Sequence, residues 1–120
     1  MCYNGEKMTK IIFSLFSLKG VCMRESILQA RLIIKIKKKI PGCIVLKNDP
    51  NYLQGFPDII ILFEDKYAVL EVKDDEYADR QPNQEYYISL LARHVYANFV
   101  YPENEERVLH ELQEAFRITG

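Results

Sequence analysis

Runs of apolar residues, interrupted by polar turns, divide most of the chain into seven predicted elements. Apolar residues that recur every three or four positions predict helices, and short continuous apolar runs predict buried strands. The predicted elements, in chain order, are a helix over 23–40, strands over 43–46, 59–63 and 67–72, a helix over 82–93, a strand over 96–101 and a helix that begins at Pro102.

The first predicted helix buries a wide face. Its apolar residues fall into two stripes, Ile27, Ala30 or Arg31 and Ile34, and then Ile33, Ile36 and Ile40. Lysines gather in its last turns, where positive charge complements the helix dipole. Pro41-Gly42 then ends the helix, because this pair is a typical helix stop.

The segment 55–73 is predicted to form a β-hairpin, with two apolar strands around a polar turn at 64–66. Three charged residues interrupt this core-like sequence. Asp58 stands at the start of the first strand, and Glu71 and Lys73 stand at the end of the second. Because strand side chains alternate between faces, Glu71 and Lys73 should point to the same face.

The start of the first hairpin strand should lie beside the end of the second, as in any antiparallel pair. Pairing Phe63 with Tyr67 across the turn predicts that Asp58 lies nearly opposite Val72 and diagonal to Glu71. Two acids and an amine would then meet at one end of a buried sheet.

These three charged residues predict a metal site. Carboxylate oxygens are the ligands that Mg²⁺ and Mn²⁺ prefer, and such an ion could orient a water, lower its pKa and offset charge on a phosphate. Lys73 could stabilise the same charge or position the attacking water. An incidental salt bridge is the alternative, and it is disfavoured because a buried charge without a partner costs several kcal/mol.

The third strand, the second helix and the fourth strand form a crossover, which should make those two strands parallel. The predicted fold class is therefore α/β, with a mixed four-stranded sheet, helices on both faces and the order αβββαβ followed by a C-terminal helix. Residues 23–120 are predicted to form a single domain, because a chain of 120 residues suits one core.

The composition is that of a globular protein, with 48% apolar residues and a formal net charge of −1. This charge argues against nucleic-acid binding through overall charge alone, although a local basic patch stays compatible with it. The three cysteines lack C-x-x-C spacing and are interpreted as reduced intracellular thiols. A cytoplasmic location is the expectation.

Residues 1–22 are predicted to be an extension outside the domain, either an extra strand or a segment that contacts a second subunit. The apolar run 10–18 has lysines before it and is similar to the start of a signal peptide. However, it is short for a secretory core and is not followed by a convincing cleavage site. It is also far too short to span a bilayer, so no membrane association is expected.

Five features, in the same order along the chain, resemble one nuclease family. Pro57-Asp58 followed by Glu71-Val72-Lys73 looks like the PD-(D/E)XK motif of restriction-endonuclease-like nucleases. Gly55-Phe56, the helix-opening segment 81–84 (QPNQ) and Glu25 narrow the resemblance to the VRR-NUC branch. These are small phage and bacterial nucleases related to Holliday-junction resolvases. The resemblance covers roughly residues 23–116.

The resemblance implies roles for the motif residues. Asp58 and Glu71 would bind the metal with the help of the Val72 backbone carbonyl, and Lys73 would act on the attacking water. Glu25 and Gln84 are considered separately because their assignments depend mostly on the resemblance.

Gln84 matches the glutamine that opens the active-site helix of the family and orients the site. Glu25 matches an acid of the first helix that assists metal or water binding. Taken without the resemblance, Glu25 would be an ordinary helix N-terminal acid favoured by the dipole, and Gln84 an ordinary first-turn residue.

The implied function is a metal-dependent DNA endonuclease that hydrolyses phosphodiester bonds in structured or branched DNA, such as flaps or four-way junctions. Mg²⁺ is the expected cofactor, with Mn²⁺ able to substitute, and a homodimer is the expected assembly. The alternative is a catalytically inactive subunit that keeps the nuclease fold and binds DNA or assembles with a partner.

Basic residues near the C-terminal end of the first helix, and two farther along the chain, are the candidate DNA contacts. They are Lys35, Lys37, Lys38, Lys39, Lys47 and Arg80. The same lysines would also suit a solvated helix face. The acidic loop after Lys73 departs from the family, whose members tend to have more glycine and basic residues there, and it would repel phosphate.

Overall fold

The computed structural model describes residues 23–118 and has the predicted order of elements. These are α1 (Met23–Lys39), β1 (Ile44–Lys47), β2 (Ile59–Phe63), β3 (Lys66–Val72), α2 (Pro82–Leu91), β4 (Tyr96–Val100), a short 3-10 turn (Pro102–Asn104) and α3 (Glu105–Ala115). The predicted extension over 1–22 lies outside the described residues. None of the helices within 23–118 is long and apolar enough to cross a membrane.

The four strands form one sheet in the order β1-β2-β3-β4. β1, β2 and β3 are antiparallel neighbours, and β4 runs parallel to β3. The prediction of a mixed sheet with a parallel β3–β4 pair is therefore confirmed. Within residues 23–118, β1 is a short edge strand, and β3 lies in the interior of the sheet.

Helices cover both faces of the sheet. On one face, α1 and α3 enclose the larger core, which is built from Leu32, Ile36, Ile40, Ile59, Ile61, Ala68, Leu70, Val72, Val100, Val108, Leu109, Leu112 and Phe116. On the other face, Ile88 of α2 packs with Val69 and Phe99. Because β3 is covered on both sides, its sequence is almost continuously apolar rather than alternating.

The buried face of α1 agrees in part with the predicted one, because Ile36 and Ile40 of the second predicted stripe are buried. Leu32, Ile36 and Ile40 are completely enclosed, whereas Ile34 is exposed. The residues that face the core are therefore spaced four apart, starting at Leu32. The predicted stripe through Ile27 and Ile34 was wrong because Ile34 lies on the opposite side of the helix from the sheet.

The hairpin register also differs from the predicted one by one residue. Phe63 pairs with Lys66, and Ile59 pairs with Leu70. The turn has two residues rather than three, and Glu64 adopts a left-handed conformation with φ of 56°. Continuing this register by one residue places Asp58 opposite Glu71, not opposite Val72.

The loop between β1 and β2 packs closely on the start of α2. Gly55 has a φ of +84°, and a β-carbon at this position would lie 2.3 Å from Cβ of Asn83. The Asn48 N–H also donates to the Asp58 carbonyl at 2.8 Å, which closes the loop beside the start of β2. Gly55 therefore permits the close approach between the hairpin and α2.

Substitution of Gly55 by alanine should destabilise the chain more than the same change at Gly42. Both glycines have positive φ, so each change costs about 1–2 kcal/mol of left-handed strain. Only Gly55→Ala adds a clash with the α2 backbone, which should cost a further ~1–3 kcal/mol. Urea unfolding of both variants measures the difference, and equal destabilisation would contradict the close packing of this loop on α2.

Candidate active site

Asp58 and Glu71 lie opposite each other at the end of the hairpin that is remote from its turn. The Val72 N–H donates a hydrogen bond of 2.9 Å to Oδ2 of Asp58, which holds this carboxylate against the end of β3. Glu71 is only 4% exposed and Lys73 only 7%. The two acids and the amine predicted to converge do meet here, and Glu71 and Lys73 are buried.

Gln84 connects Lys73 to Glu71. Its Oε1 accepts a hydrogen bond from Lys73 Nζ at 2.8 Å, and its Nε2 donates to Oε2 of Glu71 at 2.9 Å. The backbone N–H of Gln81 also donates to Gln84 Oε1 at 3.0 Å. Because one end of the amide accepts twice and the other end donates, the orientation of the Gln84 side chain is determined.

The position of Gln84 follows from the way in which α2 begins. Pro82 occupies the first turn, where its missing N–H costs nothing, and Gln84 is the third residue of the helix. A glutamine at this position can reach back to the backbone N–H that precedes the helix. In this chain the same side chain also reaches the sheet, so the helix cap is part of the site.

Glu25 approaches the same group from the first turn of α1. Burial raises the pKa of Glu25 to about 7, against the opposing effect of the Lys73 ammonium, and the charges of Asp58 and Asp74 raise it further. Glu25 is therefore close enough to Lys73 and Asp58 to affect the charge balance of the site. Asp58 and the hydrogen-bonded set of Glu71, Gln84 and Lys73 lie at this end of the sheet, and Glu25 interacts with them through its charge.

The two central acids resist ionisation together. Burial raises the pKa of Glu71 well above its usual range, and the neighbouring Asp58 charge raises it further. Burial also raises the pKa of Asp58, although the Val72 N–H and Lys73 oppose this effect. The Oε1 atom of Glu71 is buried and has no hydrogen-bond partner. A cation beside this oxygen would stabilise both acids in their charged forms.

This donor set fits a magnesium ion. Within residues 23–118, no group of three or more His, Cys, Asp and Glu side chains is arranged to hold a metal, so Glu25 does not complete such a group with the acid pair. Mg²⁺ is commonly held by only one or two carboxylates and keeps several waters. The carboxylates of Asp58 and Glu71 are protein ligands of the number and kind that such an ion uses, and Oε1 of Glu71 has no hydrogen-bond partner.

The candidate DNA contacts do not form one surface around this site. Lys37, Lys38 and Lys39 are exposed at the far end of α1. At ~1.5 Å of rise per residue, Lys38 lies about 20 Å along the helix axis from Glu25. Lys35 forms a salt bridge with Glu105 of α3, so its charge is already paired.

Lys47 and Arg80 lie nearer to the acids. Lys47 ends β1 beside the start of β2, and its charge acts on Asp58. The Arg80 guanidinium stacks on the ring of Phe99, with its central carbon 4.0 Å from the ring centroid. Arg80 therefore fixes the loop before α2 to the sheet, while the residue as a whole stays exposed.

Asp74 is a member of this group that the sequence did not single out as a site residue. The charge of Asp74 raises the pKa of Glu25, whereas the hydrogen bond from the Asp74 backbone N–H lowers it. The sequence signal was weak because Asp74 is the first of several acids in a loop. Only the approach of α1 to the end of β3 distinguishes it from the others.

The free energy of unfolding of the metal-free chain should fall as pH rises from about 5 to about 8. The raised pKa values of Glu71 and Glu25 mean that the folded chain holds protons that the unfolded chain releases above about pH 4.5. Urea titrations in the presence of a chelator measure this dependence. Stability that rises with pH over the same range would contradict the burial of these acids.

Glu71→Gln should flatten this dependence, because the amide mimics the protonated acid and can still accept from Gln84. Glu106→Gln is the matched control, since Glu106 is an exposed glutamate in the first turn of α3. The control should retain the slope of the unchanged chain.

Comparison with known proteins gives a likeness to a solved structure. No family model matches the sequence, and no curated protein matches it. Among solved structures, the chain is similar to one described as a VRR_NUC domain protein, with a TM-score of 0.55 and 19% sequence identity. The match covers 78% of this chain and 88% of that one. The chain therefore has an α/β fold similar to that of this VRR_NUC domain protein.

Proposed function

We propose that this protein is a metal-dependent DNA endonuclease. The observation that carries the proposal is the pair of opposed acids, Asp58 and Glu71, joined through Gln84 to the buried Lys73. Two acids are placed where a divalent cation would offset their charge, and a fixed amine lies beside them. The VRR-NUC-like fold supports a nuclease, and the acids identify where a phosphodiester would be hydrolysed.

In this proposal Asp58 and Glu71 hold Mg²⁺, with Mn²⁺ able to replace it, and the Val72 carbonyl is the expected backbone ligand. The bound ion would supply Lewis-acid stabilisation of the phosphate charge and a more acidic water. The Glu25 carboxylate would lie at the edge of the site and interact with the positive charge of Lys73.

Lys73 is placed to act on the attacking water or on the phosphate oxygens. Its ammonium donates to Gln84, so its position is fixed before a substrate binds. Hydrolysis adds the water oxygen to phosphorus and breaks one P–O ester bond, and negative charge accumulates on the phosphate oxygens as it does so. A preorganised ammonium lowers the free energy of that charge.

Asp58→Ala and Lys73→Ala should each reduce cleavage at least about 100-fold, the scale expected when one charge-stabilising group is removed. The assay uses linear, nicked, flapped and four-way DNA with Mg²⁺ or Mn²⁺, and a chelator should abolish cutting by the unchanged chain. Structured or branched DNA is the expected preferred substrate.

The matched controls lie at the turn end of the same hairpin. Asp65 and Lys66 are an acid and a lysine that contact each other at 3.1 Å, far from Glu71. Asp65→Ala and Lys66→Ala should therefore leave cleavage unchanged. If the purified chain cuts none of these substrates but binds DNA equally well after Asp58→Ala, the inactive-subunit alternative is correct.

We also propose that the active form is a homodimer. Among the described residues β1 is an edge strand, and Ile44 is 57% exposed on it, next to the exposed Leu62 in the paired strand. We propose that a second copy of this chain binds this edge. One active site cuts one DNA strand, whereas a branched substrate presents two strands to be cut. An exposed apolar edge strand is also suited to pairing with another strand.

Ile44→Lys should convert the dimer to a monomer, as measured by light scattering after size-exclusion chromatography. Ile34→Lys is the matched control, because Ile34 is 56% exposed but lies on α1, away from the strand edge. A chain that is monomeric before substitution would contradict the dimer, and dissociation by the control would contradict the role of this edge.

A further inference from the structure

A row of three polar residues crosses the sheet at the end where the acids lie. The registers of the β1–β2 and β2–β3 pairs, continued by one residue, place Asn48 opposite Asp58 and Asp58 opposite Glu71. The Asn48 N–H donates to the Asp58 carbonyl at 2.8 Å, so this first pair is hydrogen-bonded. Asp58 therefore has Asn48 on one side and Glu71 on the other.

The Asn48 side chain holds the loop that leads to Asp58. Its Nδ2 donates to the Leu53 carbonyl at 3.3 Å and to the Phe56 carbonyl at 3.5 Å. An amide nitrogen carries two hydrogens, so one side chain can serve both carbonyls. An ionised aspartate has the same size but offers only acceptors. The donor end of the amide is therefore the part of Asn48 that this loop uses.

The other backbone hydrogen bonds of the loop are local. The N–H groups of Tyr52 and Leu53 donate to the Asp49 carbonyl at 3.0 and 3.4 Å. The Phe56 N–H donates to the Leu53 carbonyl at 3.3 Å. These bonds form consecutive turns, but they join loop residues to one another. Within residues 23–118, the side-chain bonds of Asn48 are the ones that connect these turns to the end of β1.

The same loop packs against the start of α2. Cβ of Asn83 lies so close to Gly55 that a side chain on the glycine would clash. The ring of Phe56 contacts the ring of Tyr87, with their centroids 5.2 Å apart. Asn83 directly precedes Gln84, whose amide joins the lysine and one acid of the site. A side chain that fixes this loop therefore fixes two parts of the site, the first acid and the helix-opening glutamine.

We propose that Asn48 is a positioning residue of the candidate active site. Its two side-chain hydrogen bonds fix the loop against the end of β1, which keeps Asp58 opposite Glu71 and α2 in place to present Gln84. Metal-binding carboxylates depend on such outer contacts, and loss of one typically weakens metal binding or activity about 10- to 100-fold. The inference rests on the proposed metal-dependent function, in which Asn48 acts through Asp58 and is not itself a ligand.

Asn48→Ala should weaken Mn²⁺ binding about 10- to 100-fold, because Asp58 loses the loop contacts that hold its backbone. Isothermal titration calorimetry of the full chain with Mn²⁺ measures this affinity. Asn51→Ala is the matched control, since Asn51 is an exposed asparagine of the same loop and donates to Asp49 through its backbone N–H. The control should bind Mn²⁺ like the unchanged chain.

Gly42→Ala controls for a general loss of stability. Gly42 has a φ of +91° and precedes β1, at the opposite end of this strand from Asn48. Alanine at this position strains the chain away from the acids, so it should lower the free energy of unfolding and leave the Mn²⁺ affinity unchanged. If Gly42→Ala and Asn48→Ala weaken Mn²⁺ binding equally, the positioning role of Asn48 is wrong.

A second measurement follows Asp58 in the absence of metal. The Val72 N–H donates to Oδ2 of Asp58, so its hydrogen exchange, measured by NMR in a chelator, reports the position of this carboxylate. Asn48→Ala should raise the exchange rate of this amide at least about tenfold relative to amides at the centre of β3. Asn48→Asp should do the same and replaces Asn48→Ala if that variant does not fold. Asn51→Asp adds the same charge to the loop and should leave the exchange rate unchanged.

The two readouts separate failure of this inference from failure of the proposed function. If the unchanged chain binds Mn²⁺ and Asn48→Ala binds it equally well, the positioning role is overturned. The same holds if Val72 exchange is unchanged in the Asn48 variants. A chain that binds no Mn²⁺ and cuts no DNA would reject the nuclease. Exchange at Val72 would then decide by itself whether Asn48 holds Asp58 in place.

Discussion

The close approach of two acids, the buried Glu71 and the half-buried Asp58, is the constraint on which the rest of this structure depends. Asp58 and Glu71 lie opposite each other, and Glu71 is almost completely enclosed, so their charges repel and neither is well solvated. Such a pair would weaken a fold if nothing compensated for it. The compensation comes from Lys73, from backbone and amide donors, and, in the proposed function, from a divalent ion.

The compensating groups also connect the elements of the fold. Gln84 begins α2, accepts from Lys73 and donates to Glu71, so the cap of a helix is joined to the end of a strand. Gly55 lets the preceding loop approach the start of that same helix. Glu25 contributes from α1 on the opposite side. The residues that hold the candidate site in place therefore also connect the helices to the sheet.

The surface around the site differs in character from the site itself. Several acids follow Lys73 in the loop before α2, and the lysines that end α1 are remote from Glu25. Exposed tyrosines occupy the loops and the helix that border the acids.

The sequence by itself determined the order of elements, the mixed sheet and the identity of the convergent residues. The elements, the sheet and the convergence of Asp58, Glu71 and Lys73 follow from local pattern: apolar periodicity, turn residues, and charges in an otherwise apolar hairpin. Glu25 and Gln84 were implied by the family resemblance. The hairpin register was predicted incorrectly, and of the two stripes predicted to be buried on α1, the one through Ile34 was wrong. A one-residue change in turn length shifts the pairing of the two strands by one residue, so that different side chains lie opposite each other. An isoleucine-rich helix has several apolar faces, and any of them could pack on the sheet.

Only the tertiary structure decided how the convergent residues act together. It placed Asp58 opposite Glu71, gave Gln84 its three hydrogen bonds, and brought Asp74 to Glu25. It also separated Lys38 from the acids and paired Lys35 with Glu105. These contacts join residues from different elements, and their geometry depends on how helices dock on the sheet, which local periodicity does not encode.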